Sequence, residues 1–224
     1  MKAVFKRELK AYFLSPTGYV VIGIFLLLYS IFFSLNVFEA GSVDLGYLYS
    51  YTVAWGLIAI IPILTMRSFS EERRAGTDQL LFTSPVSMFK IVIGKFLAAV
   101  MVVLITLAIS LMYFAILCHF GKPNIVTTLV QMLGVVLVSM AAISFGLFAS
   151  SLTESQVVSA VITIAFFLFN IFVDTKFTKL NLLNYYDNFV IGVISIEDAL
   201  SLLLYTFLFI SLTIIVMQKR KLVK

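Results

Sequence analysis

Six stretches of this sequence carry no Asp, Glu, Lys, Arg or His: residues 19–38, 48–66, 96–117, 125–150, 156–173 and 199–217. Each is close to the length of about 20 residues that a helix needs to cross a bilayer. Hydrocarbon offers no partner for backbone N–H and C=O groups, so such stretches span as helices or not at all. The pattern therefore predicts an all-α polytopic membrane bundle of six transmembrane helices. Composition agrees, with 62% apolar and 12% charged residues, against about 25% charged in soluble domains. The connectors are too short for a separate soluble domain, so residues 1–224 read as one transmembrane domain. No small-residue cleavage site follows the first span, which reads as a retained anchor.

Charge fixes the expected orientation. All but Lys122, Lys176 and Lys179 of the 16 basic residues fall on one side of a six-span topology. The positive-inside rule makes that side cytoplasmic, with both termini there, in a multi-pass plasma (inner) membrane protein. Basic residues that flank spans also explain the pI of about 9.3 without nucleic acid as a partner. Residues 1–14 read as an amphipathic interfacial helix in contact with the lipid bilayer. Phe5 and Phe13 belong to its apolar face, and Lys6, Arg7 and Lys10 to its basic one. Pro62 is expected to kink the inner end of the second span. Residues 174–198 form the long external segment. Its run Phe189–Ile196 is apolar but too short to span, so it re-enters the outer leaflet or lies along it.

The chemistry that is missing narrows the function. No span offers an ionisable residue as a proton or ion relay, which argues against secondary active transport. The neutral polar residues of the spans, among them Asn36, Thr106, Ser110, Ser144, Asn170 and Thr206, read as interhelical glue. Asn36, Ser144 and Asn170 are candidates for a translocation path as well as for packing. Ala142, Gly146 and Ser150 are spaced to let helices approach closely, with the fourth span expected to meet the fifth, or a second subunit. A lone Cys118 and a lone His119 exclude a disulfide framework and a zinc site. No catalytic residues and no metal ligands emerge. Gly94-Lys95 and Gly121-Lys122 lack the rest of a phosphate-binding loop, so the chain does not hydrolyse ATP alone.

The longest polar interval, residues 67–95, stands between the second and third spans. Glu71, Glu72, Arg73 and Arg74 read as a helical extension of the second span, with opposite charges paired at i,i+3. Gly76 is a natural stop for that helix. Thr77 is a good N-cap for a short helix through Asp78, Leu80, Leu81 and Phe82. Apolar residues shown to water at such a tip suit insertion into a partner's groove. The alternative is a solvated basic loop that only sets topology.

The run SEERRAGTDQLLFTSPVS within this interval resembles the cytoplasmic signature of ABC-2 type transporter permeases. KRELKAYFLSPTGYV, at the start of the chain, is similar to the gliding-motility-type subgroup of that family. So is the late run YYDNFVIGVISIEDALSLLLY. With the six-span plan, the likeness covers essentially the whole chain. It implies a coupling helix near residues 77–82, an interfacial N-terminal helix and external re-entrant helices. It also implies a second permease copy or paralogue around a translocation path. ATP and Mg would sit on a separate ABC ATPase subunit, with further membrane or extracytoplasmic subunits in some members. The expected function is thus a permease subunit of an ATP-driven transporter, working in export. Two other readings are a non-transporting mechanotransmitting scaffold, and a membrane maturation enzyme with Glu197, Asp198 and His119 near its outer loop.

Overall fold

A computed structural model describes residues 2–39, 46–77, 86–120, 123–172 and 181–223. Its first corner follows directly from the sequence. Helix α1 (Lys2–Leu14) stops at Ser15, which is extended at φ −92° and ψ 157°, the conformation that a following proline imposes. Pro16 then opens α2 (Pro16–Phe33), where its missing N–H costs nothing. A Cβ at Gly18 would stand 2.7 Å from the Tyr12 carbonyl oxygen, so only glycine lets the two helices meet so closely. Along α2 the buried residues are Val21, Phe25, Tyr29 and Phe33, one per turn. The helix ends in a π-helical turn, Ser34–Glu39.

Next comes α3 (Gly46–Thr65), followed by the short α4 (Ser70–Arg74). The axis bends by 48° between Leu48–Gly56 and Ile58–Arg74. The bend lies further from the charged residues than expected. Pro62 leaves the Ile58 carbonyl without its N–H donor and crowds it with the ring, so the distortion appears one turn upstream. The remaining long helices are α5 (Met88–Phe120), α6 (Ile125–Leu152) and α9 (Ile196–Val223). Between α6 and α9 come α7 (Gln156–Phe172), a 3-10 turn (Asn184–Tyr186) and α8 (Asp187–Val190).

Among the described residues, four helices are long and apolar enough to cross a membrane, or five if the bent pair counts as one span. The remaining expected span, the fifth, is α7, with 17 residues. At 1.5 Å per residue that is about 26 Å, a few ångströms short of an average hydrocarbon core. It buries Ser159, Thr163, Phe167 and Asn170, a stripe on one face.

The bundle is organised around α6, of which 67% is buried, against 22–39% for the other three long spans. It packs against α3, α5, α7 and α9. Its small residues serve a different neighbour from the expected fifth span. A Cβ at Gly146 would lie 2.3 Å from Thr65 Oγ1, and Ser150 Oγ accepts from the Phe69 and Ser70 amides. The small-residue stripe therefore seats the end of α3. Toward α7 and α9, α6 instead presents a large ring. Phe145 stacks on Phe166 at 3.7 Å and meets Phe209 edge-on at 5.0 Å.

The hydroxyls inside the spans also depart from expectation. Thr52, Thr106, Thr163 and Thr206 each donate to the carbonyl four residues back in their own helix. Ser144 donates to the Ala141 carbonyl, and Ser110 to that of Leu107. A short hydroxyl reaches its own preceding turn more readily than another helix, so most are satisfied locally. The packing between helices is correspondingly apolar and aromatic.

Candidate functional site

The polar interval after α3 is where charge is concentrated, and the structure ties it to three other elements. The expected pairing within Glu71–Arg74 is not what forms. Glu71 reaches back to Arg67 at 2.9 Å. Glu72 turns inward to Lys95 of α5 at 2.9 Å and takes Arg7 of α1 at 3.3 Å. Arg73 pairs with Glu154, just beyond α6, at 2.6 Å. Of these, only the Glu72 contact meets a charge that helix packing already fixes, that of Lys95, which costs less ordering than a pair free at both ends.

Lys95 is the centre of this arrangement. Its side chain is 2% exposed, and its Nζ also reaches Glu8 at 3.2 Å. A buried ammonium needs this many acceptors, because an unpaired charge there costs several kcal/mol. The Phe69 ring lies 5.3 Å away and adds a cation–π contact. Burial outweighs the pull of Lys95 on Glu72, so that carboxyl sits above its usual range. The guanidinium of Arg7 is held above its own ordinary value, chiefly by its hydrogen bond to Glu8. Neither Glu8 nor Lys95 stands out in the sequence as a site residue. The available signal was a lone acid in a basic helix, and a lysine at the threshold of a span.

Two arginines close the far side of this charged end. Arg73 Nη1 and Arg220 Nη2 both donate to the Leu152 carbonyl, at 3.2 and 3.0 Å. They satisfy the last turn of α6 and complement its dipole. Helix α4 ends as a Schellman motif: the Thr77 amide donates to the Glu72 carbonyl at 3.0 Å and the Gly76 amide to that of Arg73 at 3.1 Å. Gly76 has φ +69°, the left-handed conformation that the motif needs. Arg74 and Thr77 are exposed. Asp78, Leu80, Leu81 and Phe82 lie outside the described residues.

Helix α1 shows only part of its expected apolar face to lipid. Val4 meets Gly94 of α5, where a Cβ would stand 2.9 Å from it. Leu9, Tyr12 and Phe13 pack against the core, and Phe13 meets Tyr19 edge-on at 5.9 Å. Phe5 is half-buried, whereas Lys6 and Lys10 are exposed. The Tyr12 hydroxyl donates to the Leu64 carbonyl at 3.0 Å, and burial pushes its pKa up to about 12. Between α1 and the α3–α4 end lies a cleft of about 410 Å³, whose lining includes Arg7, Glu8, Arg67, Glu71, Glu72 and Lys95.

At the other end of the bundle the buried polar contacts are neutral, and a carboxylate contact, Asn188 to Asp198 at 2.6 Å, is exposed. Asn170 accepts from the Leu182 amide at 2.9 Å, and Gln131 Nε2 donates to the Val190 carbonyl at 2.9 Å. Together they pin the segment before α9 onto α6 and α7. Phe189 is fully buried over Gly134, where a Cβ would come within 2.5 Å of it. The apolar run at Phe189–Ile196 is therefore half protein core, while Ile191, Val193, Ile194 and Ile196 remain exposed. Gly192, at φ +79°, makes the turn between the halves against Thr127. Asn36 donates to the Phe32 carbonyl and Ser144 is enclosed within α6 packing, so both act locally in this conformation. Among the described residues, no group of His, Cys, Asp or Glu could hold a metal ion.

A family model described as ABC-2 family transporter protein matches residues 39–222. No curated protein matches the chain.

Proposed function

The chain belongs to the ABC-2 family of transporter proteins, and from that premise we propose that it is a permease subunit coupled to a separate ATPase and working in export. The coarse role, a membrane permease component of an ABC transporter, follows from the family itself. The finer assignments are ours. The charged end faces the cytoplasm, α1 lies along that membrane face, and residues 71–82 form the contact with the ATPase. A second copy or a paralogue completes the translocation path. Among family subgroups, the three sequence runs quoted above favour the gliding-motility type.

The observation that carries this reading is the way Glu72 leaves its own helix for Lys95 and Arg7. A push delivered to residues after Gly76 meets a segment already joined to α1 and α5, rather than a loose loop. Contacts with two other helices give such an element a physical route for passing movement on. The test is recovery of the ATPase on permease carrying Leu81→Asp, co-expressed with a candidate ABC ATPase partner. A charge set into an apolar groove costs several kcal/mol, enough to turn a micromolar contact undetectable. Expected are normal membrane levels of the permease and loss of the co-purified ATPase. Undiminished recovery would place the contact elsewhere on the chain.

A further inference from the structure

The cleft beside α1 has a graded lining. One wall is Arg7 and Ala11 of α1 with Ser15 just beyond it, and the other is Ile63 of α3, Arg67 in the turn after it and Glu71 of α4. Tyr12 is bonded to the Leu64 carbonyl, and Arg7 to Glu72, so both walls place their charged ends together. The uncharged end lies where α2 begins at Pro16, toward the spanning part of the bundle. The charged end lies away from it. A groove that passes from uncharged side chains at Ser15, Thr17, Ile63 and Leu64 to ionic ones at Arg7, Glu72 and Lys95 matches the polarity of a phospholipid from its ester region to its head group.

The charges are also informative. Arg7, Arg67 and Lys95 face Glu8, Glu71 and Glu72, so the groove carries no net charge. A purely anionic head group gains little from such a sum, whereas a zwitterion finds both signs at contact distance. Arg67 and Glu71 are 41% and 46% exposed, which leaves one cation and one carboxylate accessible at the rim. Deeper in, burial already holds the Glu72 carboxyl above its usual range, a condition that an added ammonium relieves. A primary ammonium brings three N–H donors to such oxygens, and a quaternary one brings none.

We propose that this groove seats the head group and glycerol backbone of a phospholipid bearing a primary ammonium. Its phosphate rests on Arg67 and Arg7, its ammonium on Glu71 and Glu72, and its acyl chains leave past Ile63. The bound lipid fills the wedge between α1 and α3 in the leaflet at the charged end. The site shares Glu71 and Glu72 with the proposed ATPase contact, and lipid binding to the permease alone is measured with neither cargo nor ATPase present.

The experiment uses the full-length permease in detergent micelles with a photoreactive phosphatidylethanolamine as the probe. Crosslinks are expected on α1 and on peptides covering residues 63–72. Unlabelled phosphatidylethanolamine should compete at least about tenfold better than phosphatidylcholine, and better than phosphatidylglycerol. Arg67→Gln combined with Glu71→Gln keeps the net charge, and should bring that ratio to about one. Its melting temperature in phosphatidylcholine micelles should match that of the wild type. Ala11→Trp, at an exposed position, fills the groove without touching an ion pair and should abolish the labelling. Equal competition by phosphatidylcholine, or labelling confined to other helices, overturns the proposal, as does an unchanged preference in both variants. Competition by free phosphoethanolamine as strong as by the lipid assigns the groove to a soluble zwitterion and overturns it as well.

Discussion

The two ends of the bundle solve the same problem with opposite chemistry. At each, a non-spanning segment must be fixed to long helices. The charged end fixes α1 and α4 through the ammonium of Lys95, shared by Glu8 and Glu72. The neutral end fixes α8 through two amide side chains and through the close seating of Phe189 on Gly134. Ionic contacts act over several ångströms and tolerate small shifts, while a Cβ-sized gap tolerates none. The first joint therefore adds ion pairs to the close seating of Val4 on Gly94, while the second relies on close seating and amide hydrogen bonds.

That contrast can be broken, beginning with the largest effect. Lys95→Met leaves Glu8 and Glu72 with the half-exposed Arg7 as their remaining shared cation, and should cost about 3 kcal/mol. Thermal unfolding in detergent should show it, and labelling of cysteines introduced at Val4 or Leu9 should show α1 detached. Protection of both positions in the variant would mean that apolar packing alone holds α1. At the neutral end, Gly134→Ala forces Phe189 outward, at a cost of about 2 kcal/mol from overpacking. Limited proteolysis should then cut near Gly192 while α1 stays protected. Simultaneous loosening of both ends would show that the joints are one unit.

The smallest effect sharpens the comparison through pH. Glu72 has its folded pKa raised by burial, so its contribution is full below the unfolded value of about 4.3 and is lost as pH rises through the folded value. Glu72→Gln should thus differ from wild type by under about 1 kcal/mol at neutral pH. Wild type should gain on the variant as the solution is acidified. A gap that widens toward alkaline pH in favour of wild type would reverse the assigned sign.

Much of the fold was legible because a membrane leaves few choices. Uncharged runs gave the long helices, Ser15-Pro16 gave the corner after α1, and Gly76 gave the stop of α4. What escaped the sequence lies in side-chain choice among several neighbours. Glu72 had two nearby arginines in the chain, yet its partners come from positions 7 and 95. Gly146 and Ser150 announced a close approach without naming α3 as the helix that makes it. The hydroxyls could serve their own helix or another, and local geometry decided. In the candidate site, Glu71, Glu72 and Arg73 were recognised by charge density, whereas Glu8 and Lys95 needed the third dimension.

Helix α5 runs without interruption from Met88 to Phe120 and carries Lys95 near one end and the exposed thiol of Cys118 near the other. The two positions are about 35 Å apart along the axis, so a tilt of about 5° pivoting at the lysine swings the thiol by about 3 Å. The helix is in this sense a lever, with its fulcrum in the ionic joint and its long arm reaching the opposite face of the bundle. A disturbance too small to register at the ammonium would arrive magnified at the only sulfhydryl in the chain.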